Sequence, residues 1–181
     1  MLADVQQPRE RWMVWRNDPL TLYHGTVGAH ATDIETNGID IIKCRIRRDF
    51  GQGFYTTRRE GQAIEFANHT YNKMAALFRR NRGIDPTCAA VVQYTVDRNI
   101  LGMLDTLAFV VPDQGWQDFV KNCRSSAYDH KGPGAFYQVV YGPVSTVTGE
   151  TSRWYEQLSF HSDDAIKTLK FTRVRRGAPR L

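Results

Sequence analysis

An α+β domain is what this sequence predicts. Three observations carry the prediction: a length of 181 residues, suited to one hydrophobic core; a helical apolar rhythm concentrated in the middle of the chain; and β-rich runs gathered towards its end. The rhythm is clearest from Arg59 to about Arg82, where Ala63, Phe66, Ala67, Tyr71, Met74, Ala75 and Phe78 recur at helical spacing and Gly83 stops the pattern. The late runs are FYQVVYGPV, QLSFH and LKFTRV. Such an order suits two curved antiparallel sheets flanking a cleft, with helices on the outside.

The remaining elements follow in chain order. LTLYH, from Leu20 to His24, is a short strand introduced by Pro19. HATDIETNGI is a short helix with Thr32 or Asp33 as its N-cap, Ile34 facing inward and Gly38 as its stop. KCRIRRDFGQGFYTT reads as a basic loop, a turn at Gly51 and Gly53, and then a strand. After the long helix, CAAVVQYTV (Cys88 to Val96) is a strand, and Trp116, Phe119, Val120 and Cys123 mark an amphipathic helix of about three turns. Gly142 and Pro143 are expected to stop FYQVVYGPV, STVTGETSR to form a turn-rich loop, and DDAIKTL to make a helical turn before the last strand. The whole, 1–181, is read as one domain with an amino-terminal extension over about 1–19 and a basic tail over about 176–181.

Composition narrows the classes. An apolar share of 41% with 12% aromatics is globular rather than disordered. No run approaches the roughly 18 apolar residues of a membrane span, and MLADVQQPRERW lacks the apolar core of a secretory signal. The expectation is a cytoplasmic protein with no membrane partner. A net charge of +5 favours anionic partners, whether nucleic acid or a phosphate-bearing ligand. Cys44, Cys88 and Cys123 are odd in number and widely spaced, so they are expected to be reduced, small buried hydrophobes. His30, His69, His130 and His161 lack metal-ligand spacing, and no metal is expected.

Two short features carry chemistry. His24 ends its strand and is followed by Gly25 and Thr26, which leaves an exposed imidazole beside backbone that a ligand can approach closely. In DFGQGFYTT the glycines turn the chain and deliver Phe54 and Tyr55 onto a strand, where alternation sends one ring to each face. One of these rings is then available to stack on a planar ligand.

LYHGT, a helix ending NGID, and FGQGFYTT together resemble the amino-terminal half of the catalytic core of poly(ADP-ribose) polymerase-like and diphtheria-toxin-like ADP-ribosyltransferases. The resemblance runs from about Leu20 to Asn68 and resumes from Phe136 to Val174. It is similar to small bacterial members that share a DFGxGFY run, a later GPV turn and a terminal QxxFH strand. It implies the fold of that superfamily and NAD as co-substrate. His24 would bond the adenine-side ribose, the Gly25 backbone would hold the nicotinamide carboxamide, and Tyr55 would stack on the nicotinamide ring. Thr26 and Gly53 flank these residues in the same motifs and would line the dinucleotide. Phe66, eleven residues after Tyr55, stands where relatives carry a second aromatic, although it also fits the apolar face of its own helix.

The third signature position in that family is a Glu at the start of a late strand, which stabilises the oxocarbenium-like state as nicotinamide leaves. Here the strand reads WYEQLSFHSDDAI. Aligning LSFHS with the family's apolar run puts Gln157 there, and a one-residue slip would put Glu156 there. The two cannot share a face. Alternation favours Gln157, with Ser159 on its side and Leu158 and Phe160 opposite. The resemblance then implies a mono-ADP-ribosyltransferase acting on a macromolecular acceptor, protein or nucleic acid, in a toxin or effector role with an antitoxin or immunity protein as a further partner. The alternatives are an NAD glycohydrolase and a catalytically weak nucleic-acid-binding module on the same fold. Lys43, Arg45, Arg47, Arg48, Arg58 and Arg59 bracket the Tyr55 motif and would hold pyrophosphate or attract an anionic acceptor.

Overall fold

Two sheets meet along the edges that carry His24 and Tyr55. The computed structural model describes residues 17–125, 130, 137–145, 151–178 and 180–181. The extension over 1–16, Phe136 and positions 146–150 of the expected loop lie outside the described residues. Strands β1 (Leu20–Val27), β3 (Ala89–Val96) and β7 (Lys170–Arg176) make an antiparallel sheet with β3 in the centre. The second sheet has the order β2 (Phe54–Thr56), β6 (Thr151–Phe160), β5 (Val139–Ser145), β4 (Thr106–Ala108). Among the described residues five α-helices join them: α1 (Gly28–Asn37), α2 (Glu60–Phe78), α3 (Arg98–Leu101), α4 (Gln114–Ser125) and α5 (Asp163–Lys167). Just past β2, Thr57 exchanges backbone hydrogen bonds with Tyr23 of β1 at 2.8 and 2.9 Å, which ties the two sheet edges together.

Strand alternation builds the main core. Leu22, Val92, Tyr94 and Val96 of the first sheet share a cluster with Phe54, Val139, Leu158 and Phe160 of the second. Burying each of these side chains contributes about 1.5–3 kcal/mol. The opposite face of the first sheet takes α2, whose Ala63 and Ala67 pack with Ala89 and Val91. The opposite face of the second sheet takes α4, whose Trp116 and Val120 pack with Phe50 and Val140.

Several expectations are corrected. The second sheet is mixed, because β4 runs parallel to β5, with Thr106 opposite Val139. The TLA of β4 is too short to show a period, so only its neighbour makes it a strand. β1 continues to Val27, and α1 starts at Gly28, capped by Val27 without a side-chain bond, so Thr32 and Asp33 lie inside the helix. Gly38 does end it, at φ 80°. β5 runs through Gly142 and Pro143. β4 pairs only with Val139–Tyr141, and the β5–β6 register shifts after Pro143, so the missing proline N–H falls where the ladder is already interrupted. Thr151–Arg153, expected in a loop, begin β6. α2 ends at Phe78, and its buried stripe is Ala63, Ala67 and Ala75; Phe66 is 49% exposed and off the apolar face assigned to it. Cys123 is buried, but Cys44 and Cys88 are half-buried.

Candidate functional site

β1 alternates Leu22 and His24 towards the space between the sheets, so the imidazole leans on Phe54, ring centroids 4.3 Å apart. Its Nδ1 lies 2.7 Å from the Tyr55 carbonyl oxygen. A carbonyl only accepts, so Nδ1 carries the hydrogen and Nε2 of the neutral ring carries the lone pair. Desolvation by burial lowers the pKa from 6.5 to about 4, against the opposing pull of the Tyr55 hydrogen bond and with a smaller push from His30. The ring is therefore neutral at physiological pH. Nε2 has no hydrogen-bond partner among the described residues and stands as an acceptor suited to a hydroxyl.

Both expectations for the HGT segment change. The imidazole is largely desolvated instead of freely exposed, because β1 does not end at His24. Gly25 is required by packing: a Cβ there would run into the Ala63 carbonyl oxygen of α2. Thr26 is buried and pairs with Ala90 in the middle of the ladder.

Tyr55 leaves β2 on the face opposite Phe54 and Thr56. Its hydroxyl accepts from the Phe50 N–H at 2.9 Å and donates to the Gly51 carbonyl at 2.8 Å. The phenol thereby staples the glycine turn that delivers it, and Gly51 supplies the left-handed conformation at φ 83°. Burial pushes the phenol pKa well above its ordinary value, with the Phe50 hydrogen bond opposing. The ring keeps partial exposure, with the edge-on His161 ring 6.3 Å away. Gly53 is set by the same neighbour, since a Cβ would sit 2.6 Å from His161 Nδ1. Phe66 makes no ring contact with this group among the described residues.

The β2–β6 register decides which face each late residue occupies. Tyr55 pairs with Ser159 and Thr56 with Leu158. Gln157, two residues before Ser159, thus shares the Tyr55 face, and Glu156 takes the other. Gln157 donates from Nε2 to Asp49 Oδ2 at 2.8 Å and to the Pro143 carbonyl at 3.2 Å. Glu156 accepts from Arg58 through two of its guanidinium nitrogens, Nε and Nη2, and from the Tyr141 hydroxyl at 2.8 Å. Burial pushes the Glu156 carboxyl up, but Arg58 and Tyr141 outweigh it and hold it below the usual carboxylate range. Glu156 is a paired carboxylate on the inter-sheet side, away from the Tyr55 ring.

Three polar residues that sequence reasoning did not single out complete this face. Asp49 is bound by Arg124 of α4 at 2.7 Å. His161 donates from Nδ1 to the Gln52 carbonyl at 2.8 Å and meets Ser159 Oγ at 2.7 Å through Nε2. Asp49 stands in DFGQGFY and His161 closes the QxxFH run, so their positions in those motifs were the available signal; Arg124 carried none. The basic residues bracketing Tyr55 do not form one free patch, because Lys43 pairs with Asp33 at 3.0 Å and Arg58 with Glu156. A depression of about 640 Å³, lined by Tyr71, Asn72, Ala75, Arg79, Ala178 and Arg180, shares none of these residues. Among the described residues no cluster of three or more His, Cys, Asp or Glu is placed to hold a metal ion, and no helix is long and apolar enough to cross a membrane.

The class defined by these features is a two-sheet α+β domain with a histidine of one sheet edge bonded to the backbone of a tyrosine on the other. Residues 20–173 match the model of DUF3990, described as a protein of unknown function, and the chain belongs to that family. The match begins at the start of β1 and ends within β7. No curated protein matches the chain.

Proposed function

We propose that the protein is an NAD-dependent mono-ADP-ribosyltransferase with an ADP-ribosyltransferase-like fold, which breaks the nicotinamide–ribose bond and passes ADP-ribose to a macromolecular acceptor. The observation that carries this reading is the 2.7 Å bond from His24 Nδ1 to the Tyr55 carbonyl. It couples the two motif residues across the junction of the sheets and leaves Nε2 as a neutral acceptor for a ribose hydroxyl. Tyr55 then offers its ring to the nicotinamide, and Gln157 lies on the same face to meet the nicotinamide-side ribose. As the C1–N bond breaks, its electron pair leaves with nicotinamide, and the acceptor atom bonds to C1 and loses its proton. Hydrogen bonds to the ribose that strengthen in the oxocarbenium-like state lower the barrier without a formal charge at position 157.

The test is incubation of the full chain with NAD labelled in the adenylate moiety and cell lysate, followed by separate nuclease and protease digestions. Transfer predicts a labelled macromolecule, absent with His24→Ala and Tyr55→Ala, and removed by whichever digestion matches the acceptor. Free ADP-ribose without a labelled macromolecule would replace transfer by hydrolysis. No binding or consumption of NAD, with salt-sensitive binding of RNA or DNA instead, would sink the enzymatic reading in favour of a binding module.

A further inference from the structure

We infer that Asp49 is a positioning residue that fixes the orientation of the Gln157 amide, so that the third site position offers a ligand a hydrogen-bond acceptor. The inference rests on the NAD-cleaving reading above for its consequence in catalysis. Its geometric basis is independent of that reading.

Asp49 is 8% exposed, and its carboxylate gathers four donors. Oδ1 accepts from Arg124 Nε at 3.0 Å and Nη2 at 2.7 Å. Oδ2 accepts from the Ser145 backbone N–H and from Gln157 Nε2, each at 2.8 Å. The second acceptor for Gln157 Nε2 is the Pro143 carbonyl at 3.2 Å. A carboxylate and a carbonyl only accept, so both neighbours demand the nitrogen end of the amide, and the two ends are not interchangeable. Oε1 is left as the one side-chain hydrogen-bonding atom of Gln157 with no protein partner among the described residues, on a residue that shares the Tyr55 face.

An acceptor is also what a glutamate here would present to a ribose hydroxyl. Gln157 therefore supplies the hydrogen-bonding half of that role, while the formal charge lies one bond behind it on Asp49 and is paired with Arg124. Gln157 is the side chain compatible with Asp49. A glutamate at 157 would set two carboxylates at hydrogen-bonding distance, and repulsion would turn the new side chain away or make it take up a proton.

The experiment compares wild type, Asp49→Asn, Gln157→Glu and the double variant D49N/Q157E, as full chains. Melting temperature without ligand, NAD affinity by calorimetry, and NAD consumption between pH 5.5 and 7.5 are measured. Each single variant is expected to lower NAD affinity about tenfold at pH 7.5. The double variant should regain part of that loss, because the new amide at 49 donates to the new carboxylate at 157, although the Ser145 N–H and the Pro143 carbonyl lose their partners. Gln157→Glu alone should recover activity as pH falls and its carboxyl protonates, a response that a merely structural defect would not give. Gln157→Glu that consumes NAD faster than wild type with Asp49 in place, or a double variant no better than the summed singles, overturns the proposal. If wild type neither binds nor consumes NAD, the functional reading fails, and the melting temperatures alone decide: a double variant above the summed singles upholds the orientation, and additivity overturns it.

Discussion

His24 of β1 and Tyr55 of β2 are joined by a hydrogen bond from the imidazole Nδ1 to the tyrosine's backbone carbonyl, 2.7 Å long, at the place where the two sheets meet. The bond fixes the tautomer, and the surrounding Phe54 ring removes water from it. Acid should therefore act on the fold through His24. The unfolded pKa is 6.5 and the folded value about 4, so between these the unfolded chain binds the extra proton. Stability is complete above about pH 6.5 and declines as pH falls towards 4, by up to about 3 kcal/mol. Chemical denaturation at pH 7.5, 5.5 and 4.5 measures it, and His24→Asn should flatten that dependence. An unchanged slope in the variant would remove His24 as the cause.

Tyr55→Phe separates the ring from its hydroxyl. The ring remains on the α4 side of β2, but the Phe50 N–H and the Gly51 carbonyl lose the partner that closes the glycine turn. We expect a stability loss of about 1–3 kcal/mol with NAD affinity reduced less than in Tyr55→Ala. Equal affinities in the two variants would mean that the ring plays no part in binding.

Gly25→Ala should act first through packing. The new Cβ collides with the backbone of α2 at Ala63, and backbone cannot swing aside as a side chain can. The helix must shift, at about 1–3 kcal/mol, and melting temperature falls several degrees before NAD binding is considered. A variant as stable as wild type would contradict the packing role.

Glu156→Gln tests the division of labour on β6. It weakens the pair with half-exposed Arg58 and the bond from Tyr141, so stability should fall by about 1 kcal/mol. NAD affinity should be unchanged, whereas Gln157→Ala should lower affinity with a smaller effect at Arg58. If Glu156→Gln abolished NAD consumption while leaving the melting temperature alone, the assignment of faces to roles would be reversed.

Much of this arrangement was legible from local signals. The helical spacing of Ala63, Ala67 and Ala75, the stop at Gly38, and the alternation in QLSFH all reflect constraints that act within a few residues. Phe66 was misread because it has the same spacing as those alanines, and only the depth of the first sheet, which admits methyl groups at close approach, excludes a phenyl ring from that face. The extent of β1 was cut short because Gly25 and Thr26 resemble a turn until α2 is placed against them. β4 was invisible because three residues have no period.

The sequence by itself determined the order of the longer elements, the glycine turn before Tyr55, and the fact that Glu156 and Gln157 face opposite ways. Those follow from backbone geometry inside single elements. Tertiary structure alone decided which of the two lies with Tyr55, that Gly25 serves the helix beneath it, and that Asp49 grips Gln157 across 108 residues of chain. The reason is that periodicity fixes the relation between side chains on one strand, whereas the face that meets the site depends on register between strands distant in sequence.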